Sequence, residues 1–161
     1  MIVIVMGVTG AGKTTVGKLL ALQLGWKFAD ADSFHSAANK EKMSQGIALD
    51  DADRAPWLAS MRAAIMEWSS EHQDVVLACS ALKRDYRQTL DIGSEVKFVY
   101  LKGNYEVIYE RLLSRHGHFA TETILRSQFE TLEEPSGAIM VDLRKTPEQL
   151  VTEIRAKLNL A

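Results

Sequence analysis

The sequence predicts an α/β fold in which a parallel sheet carries helices on both faces. Three observations predict it. Short, β-branched apolar runs recur along the chain, helical patterns lie between them, and the first run leads into a glycine-rich loop, "GVTGAGKTT" at 7–15. Continuous apolar runs suit strands buried on both faces, and alternation of strands with helices marks a parallel sheet.

The elements follow in order. "IVIVM" (2–6) is the first strand, and residues 13–24 form the helix after the glycine loop. "WKFAD" (26–30) is a weaker second strand. A polar stretch at about 31–55 leads into a helix over 53–71, where Trp57, Met61, Ile65 and Trp68 make one stripe at helical spacing. "VVLAC" (75–79) is the third strand, with Ser80 as the expected N-cap of the next helix. "VKFVYL" (96–101) is the fourth, and Asn104 caps a helix over 104–114. A second polar stretch, about 115–137, precedes the last apolar run, "AIMVDL" (138–143). The final helix has Thr146 as N-cap, Pro147 in its first turn and Gln149 completing a capping box. Its buried face is Leu150, Val151, Ile154 and Leu158. No repeat or linker divides residues 1–161, so one domain is expected. The two long polar stretches read as insertions of the kind that become binding loops or lids.

Composition narrows the class. With 47% apolar and 25% charged residues the chain is an ordinary globular sequence. Nineteen basic against 21 acidic side chains, with no basic block, exclude a nucleic-acid footprint. Anions must be held locally, by a few cations in a cleft. One cysteine, Cys79, forms no intrachain disulfide and suits a reducing compartment. The N-terminal apolar run is too short for a signal peptide, and no run approaches the ~20 residues that span a bilayer. A cytoplasmic protein with no membrane partner is expected.

The glycine loop meets the pattern G-x-x-x-x-G-K-[ST] with Gly7, Gly12, Lys13 and Thr14, and Gly10 is an extra glycine. It sits between a strand and a helix, as the motif requires. Residues Gly7, Val8, Thr9, Gly10, Ala11, Gly12, Lys13, Thr14 and Thr15 are therefore expected to wrap a triphosphate. Backbone N–H groups and the helix N-terminus supply the positive field. Lys13 reaches the β- and γ-phosphates, and the Thr14 hydroxyl ligates Mg²⁺. A switch GTPase is disfavoured, because the nearest N-K-x-D candidate, Asn39-Lys40-Glu41-Lys42, has lysine at the aspartate position. The third strand ends in Cys79-Ser80 rather than the carboxylate of many ATPases. A kinase is the better reading, with a nucleoside triphosphate and Mg²⁺ as its ligands.

The acceptor side and its lid are expected from five places. Asp30 and Asp32 end the second strand, where the crevice of an α/β sheet lies. One carboxylate would hold hydrated Mg²⁺ and the other would take a hydrogen bond from the acceptor hydroxyl; both are otherwise turn residues. His35 either contacts a polar substrate or caps the following helix. Arg54 either pairs with Asp50, Asp51 and Asp53 or grips a substrate carboxylate in a two-pronged bond. Lys83, Arg84 and Arg87 cluster in "CSALKRDYR" (79–87), near a helix start, where an anion would offset them. Arg111 and Arg115 lie one turn apart before Gly117, as lid arginines would; Arg111 pairs alternatively with Glu106 or Glu110.

Together "GVTGAGKTTVG", "DADSFHSAANKEKMSQGIALDDADRAPWL", "CSALKRDYR", "FVYLKG" and "RHGHFA…SQFETLEEP" resemble the bacterial-type gluconate kinases, over nearly the whole chain and in order. The resemblance implies ATP-dependent phosphorylation of D-gluconate on its 6-hydroxyl. It implies a P-loop kinase fold similar to shikimate and nucleoside monophosphate kinases, with a five-stranded parallel sheet, a substrate-binding insertion and a lid. It also implies a homodimer. By position it makes Lys13, Asp32 and Arg115 catalytic, with Asp32 rather than Asp30 contacting the acceptor hydroxyl. It gives Thr14 and Asp30 to the metal, Arg111 to the nucleotide, and Asp32, His35, Arg54 and Lys83 to gluconate. Ala31, Ser36 and Ala120 depart from the family pattern; none removes a charge. The rivals are a kinase for another sugar acid or a shikimate-like hydroxy acid, and a non-catalytic ATP-binding regulator.

Overall fold

The computed structural model describes residues 1–116 and 118–160; for 115, 116 and 118–121 it describes the backbone alone. Five strands form: β1 (Ile2–Met6), β2 (Lys27–Asp30), β3 (Val75–Ala78), β4 (Val96–Lys102) and β5 (Ile139–Asp142). All pair in parallel in the order β2-β3-β1-β4-β5, with Ile2 level with both Val75 and Val96. β1 is central and wholly buried.

Among the described residues seven α-helices surround the sheet: α1 (Lys13–Leu24), α2 (Ala37–Ser44), α3 (Asp51–Ser70), α4 (Arg84–Leu90), α5 (Tyr105–His116), α6 (His118–Thr131) and α7 (Pro147–Lys157). The side-chain period of two along β1 splits the core. Val3 and Val5 pack with residues of α1, α5 and α7 on one face. Ile2, Ile4 and Met6 pack with Met61, Ile65 and Trp68 of α3 and Leu90 of α4 on the other. This is the sheet covered on both faces that the apolar runs predict.

Local chemistry sets the helix ends. Asn104 caps α5 by accepting from the Val107 N–H at 2.9 Å. Thr146 and Gln149 form the expected box on α7. α3 starts earlier than the periodicity suggests, because Asp50 and Asp53 form a capping box of their own. Ser80 does not cap the helix after β3. That helix begins at Arg84, and Ala81 adopts a left-handed φ of 46°. The cause is Arg87, whose Nη1 donates to the Ala81 and Leu82 carbonyls at 2.7 and 3.1 Å, holding this segment out of helical geometry. No described helix is long and apolar enough to cross a membrane.

Candidate active site

The site lies at the carboxyl ends of β1, β2 and β3, where an open parallel sheet leaves its crevice. The loop after β1 is shaped by two glycines. Gly12 has φ 98°, a Cβ there would meet nothing within 4 Å, and its open side faces the cleft. Gly10 has φ 79° and packs backward, since a Cβ would come within 2.8 Å of Leu112. The extra glycine thus serves the fit of the loop against α5. Lys13 Nζ donates to the Val8 carbonyl at 3.0 Å, which folds the ammonium back over the loop. Desolvation by burial holds its pKa below the ordinary lysine value, opposed more weakly by Cys79, Asp32 and Asp30. An ammonium so placed gains from an incoming anion.

A cleft of about 400 Å³ runs along this loop and is lined by Lys13, Thr14, Asp30, Asp32, Trp57 and Gln128 among others. The Thr14 hydroxyl donates to Asp30 Oδ2 at 3.3 Å. Asp30 Oδ1 accepts from the Asp32 N–H at 3.0 Å, capping the short 3-10 helix Ala31–Phe34. A hydroxyl and a carboxylate oxygen side by side fit Mg²⁺, which takes one or two protein oxygens and keeps waters and phosphate for the rest. Behind the loop a second hollow, about 310 Å³, is lined by Gly12, Thr15, Arg111, Lys145 and Pro147. Arg111 does not pair with Glu106 or Glu110; its Nη2 donates to the Leu143 carbonyl. The side chain of Arg115 lies outside the described residues.

A third hollow of about 490 Å³ opens beside the first and shares Asp32, Met43, Trp57, Ser80, Ile124 and Gln128 with it. Here the insertion supplies the chemistry. His35 is buried, stacked on Trp57 with centroids 4.5 Å apart and rings within 8°. Ser36, not His35, caps α2. Trp57 Nε1 donates to the Ala31 carbonyl at 2.8 Å, pinning α3 to the aspartate turn. Asn39 Nδ2 donates to the Asp53 carbonyl at 2.8 Å and lies 3.3 Å from His35 Nδ1. That fixes the amide orientation and makes Nδ1 an acceptor, so the imidazole proton sits on Nε2. Burial, the largest influence, lowers the His35 pKa, and Asp32 partly offsets it.

Arg54 enters the same hollow. Its Nη1 lies 3.2 Å from the Tyr86 hydroxyl and 3.7 Å from Asp51. Lys83 does not line the hollow; it stays at the rim, 3.3 Å from Asp51 Oδ1 and over the Tyr86 ring. Asp51 also accepts from Tyr86 at 2.9 Å, and these bonds, Tyr86 first, hold its pKa below the usual carboxylate value. Arg84 and Arg87 stand apart: Arg87 is buried on backbone carbonyls, and the Arg84 N–H meets Glu133. Cys79 is buried beside Lys13, and burial pushes its thiol up to about 12, so it is not a nucleophile. The sequence did not single out Trp57, Asn39, Tyr86 or Gln128 as site residues; each lies within a stretch whose neighbours were singled out.

Comparison with known proteins decides the family. A family model for shikimate kinase matches residues 9–159. A shikimate kinase structure from Aquifex aeolicus vf5 superposes with a TM-score of 0.58 at 19% identity, covering 99% of this chain and 96% of that one, a likeness of fold alone. A probable gluconokinase of Xenopus tropicalis is 46% identical across 99% of this chain and 94% of its own. The chain belongs to the gluconokinase family. The crystal structure of a gluconokinase from Sinorhizobium meliloti 1021 agrees, with a TM-score of 0.85 and 41% identity over 98% of this chain and 90% of that one.

Proposed function

We propose that the protein transfers the γ-phosphoryl group of ATP to the 6-hydroxyl of D-gluconate, giving 6-phosphogluconate and ADP. Family membership supports the substrate. The observation that carries the chemistry is Asp32, shared by the loop-side cleft and the hollow that contains Arg54 and His35. A carboxylate at that junction meets the acceptor hydroxyl where the terminal phosphate ends.

Phosphoryl transfer asks mainly for positioning and charge neutralisation. The loop amides and Lys13 hold the β- and γ-phosphates. Asp32 accepts the hydrogen bond of the 6-hydroxyl and orients it for in-line attack. Arg54 grips the gluconate carboxylate at the far end of the chain, with Lys83 joining from the rim. His35 presents its Nε2 proton to the polyol. Thr14 and Asp30 would hold Mg²⁺, which would neutralise phosphate charge. Arg111 sits on the nucleoside side of the loop, and Arg115 belongs to a lid over about 115–137 that closes to exclude water. The reading makes 31–55 the substrate-binding insertion of a single domain, and the protein a cytoplasmic homodimer.

The test is a coupled ADP-release assay with gluconate, other sugar acids and shikimate as acceptors. Gluconate should be phosphorylated far faster than the rest, with label from [γ-³²P]ATP in the product. Preference for another acid would move the protein to a different substrate, and no transfer to any acceptor would leave only a nucleotide-binding role.

A further inference from the structure

The block "SQFETLEEP" (127–135) falls in the C-terminal part of the proposed lid, but the mechanism above gives none of its side chains a role of its own, although it adjoins the site. Its second half is an anchor. The Glu133 N–H donates to the Leu82 carbonyl at 2.8 Å, its carboxylate accepts from the Arg84 N–H at 3.0 Å, and Arg87 Nη2 donates to its carbonyl at 2.7 Å. Glu134 lies 3.3 Å from the Tyr100 hydroxyl. The C-terminal end of α6 is thereby fastened to the segment after β3 and to β4.

Just before this anchor stands Gln128. Its Oε1 accepts from the backbone N–H of Thr9, inside the phosphate loop, at 3.1 Å across 119 residues of chain. A backbone N–H requires an acceptor, so the amide orientation is settled, and Nε2 makes no hydrogen bond among the described residues. Gln128 also lines both the loop-side cleft and the hollow holding Arg54. A neutral side-chain oxygen therefore occupies a loop donor of the kind that phosphate oxygens take. An ionised phosphate oxygen is the stronger acceptor, by roughly twofold in energy, so it wins the N–H when triphosphate enters. With the base of α6 tied down, the side chain must turn away.

We propose that Gln128 is a positioning residue that couples occupancy of the phosphate loop to the acceptor hollow. It guards the Thr9 N–H while the loop is empty, yields it to a phosphate oxygen, and then offers its freed amide to the hydroxyls of the acceptor. The inference rests on the kinase reading but not on gluconate as the acceptor.

Titration calorimetry on the intact protein tests it, with Mg²⁺ and the non-hydrolysable analogue β,γ-imido-ATP and no acceptor present. Gln128→Met keeps the shape but removes the competing acceptor, so it should bind the analogue about 3- to 10-fold tighter than wild type, the worth of one neutral hydrogen bond. Gln128→Glu sets a carboxylate against the incoming phosphate and should bind it at least about 10-fold more weakly. A merely structural glutamine would not give opposite signs. Unchanged or weaker affinity in Gln128→Met, or wild-type affinity in Gln128→Glu, overturns the proposal. In a second titration, the analogue should tighten gluconate binding in wild type and not in Gln128→Met. Equal tightening in both proteins overturns the coupling, and the acceptor-free titration stands whichever sugar acid proves to be the substrate.

Discussion

The two halves of the site are built on different principles. The phosphate half is backbone: a glycine loop sprung from the most buried strand, followed by a helix whose N-terminus carries the field. The half proposed for the acceptor is side chains: His35 on Trp57, Arg54 on Tyr86, and Asp51 joining Arg54, Tyr86 and Lys83. The first needs a fixed chain path. The second needs a chosen set of groups, which is how specificity for one small acid is made. Asp32 and Gln128 are among the residues where the halves meet.

The sharpest way to break one half alone is Lys13→Ala. Turnover should fall by about 100- to 1000-fold or more, as when a preorganised charge partner of the transition state is removed, while gluconate still binds in a calorimeter. Lost gluconate binding would show that the halves are not separable. Arg54→Ala is the counterpart. It removes a charged hydrogen bond, so the KM for gluconate should rise about 10- to 100-fold with the KM for ATP unchanged; steady-state kinetics with each substrate varied checks this.

Smaller effects probe the joint between insertion and sheet. Trp57→Phe leaves the Ala31 carbonyl without its donor and should lower stability by about 1–3 kcal/mol in urea denaturation. No loss would mean that water replaces the bond. The smallest effect is a pH dependence. The His35 pKa lies below its ordinary 6.5 because the ring is buried, so the unfolded chain takes the proton first. Its contribution to stability is full above 6.5 and declines as pH falls toward the folded value. His35→Gln should flatten that limb of the stability–pH curve, and an unaltered slope would assign the limb to other groups.

How much of this could be read beforehand differs between the halves for the same reason. A backbone cradle demands glycines at fixed spacing, so Gly7, Gly12 and Lys13 declare it in the sequence alone. α7 is legible because its box, Thr146 to Gln149, is local. The acceptor half depends on contacts between distant residues. The spacing of Trp57 marks a buried stripe but not that its first turn projects into the hollow beneath His35. Ser80 looks like a cap because nothing nearby reveals that Arg87 will hold Ala81 and Leu82 out of the helix. Gln128 meets Thr9 across 119 residues, so only the fold reveals the bond.

The central claim is that one half delivers a phosphoryl group to an acid held by the other. Incubating the protein with ATP, Mg²⁺ and gluconate and recording the phosphorus spectrum of the product tests it directly. A single phosphomonoester on the 6-carbon, formed at least about 100-fold more slowly when Lys13 is replaced by alanine at the same enzyme level, is the predicted result. Phosphate appearing only as the free inorganic ion, or on another carbon, would contradict it.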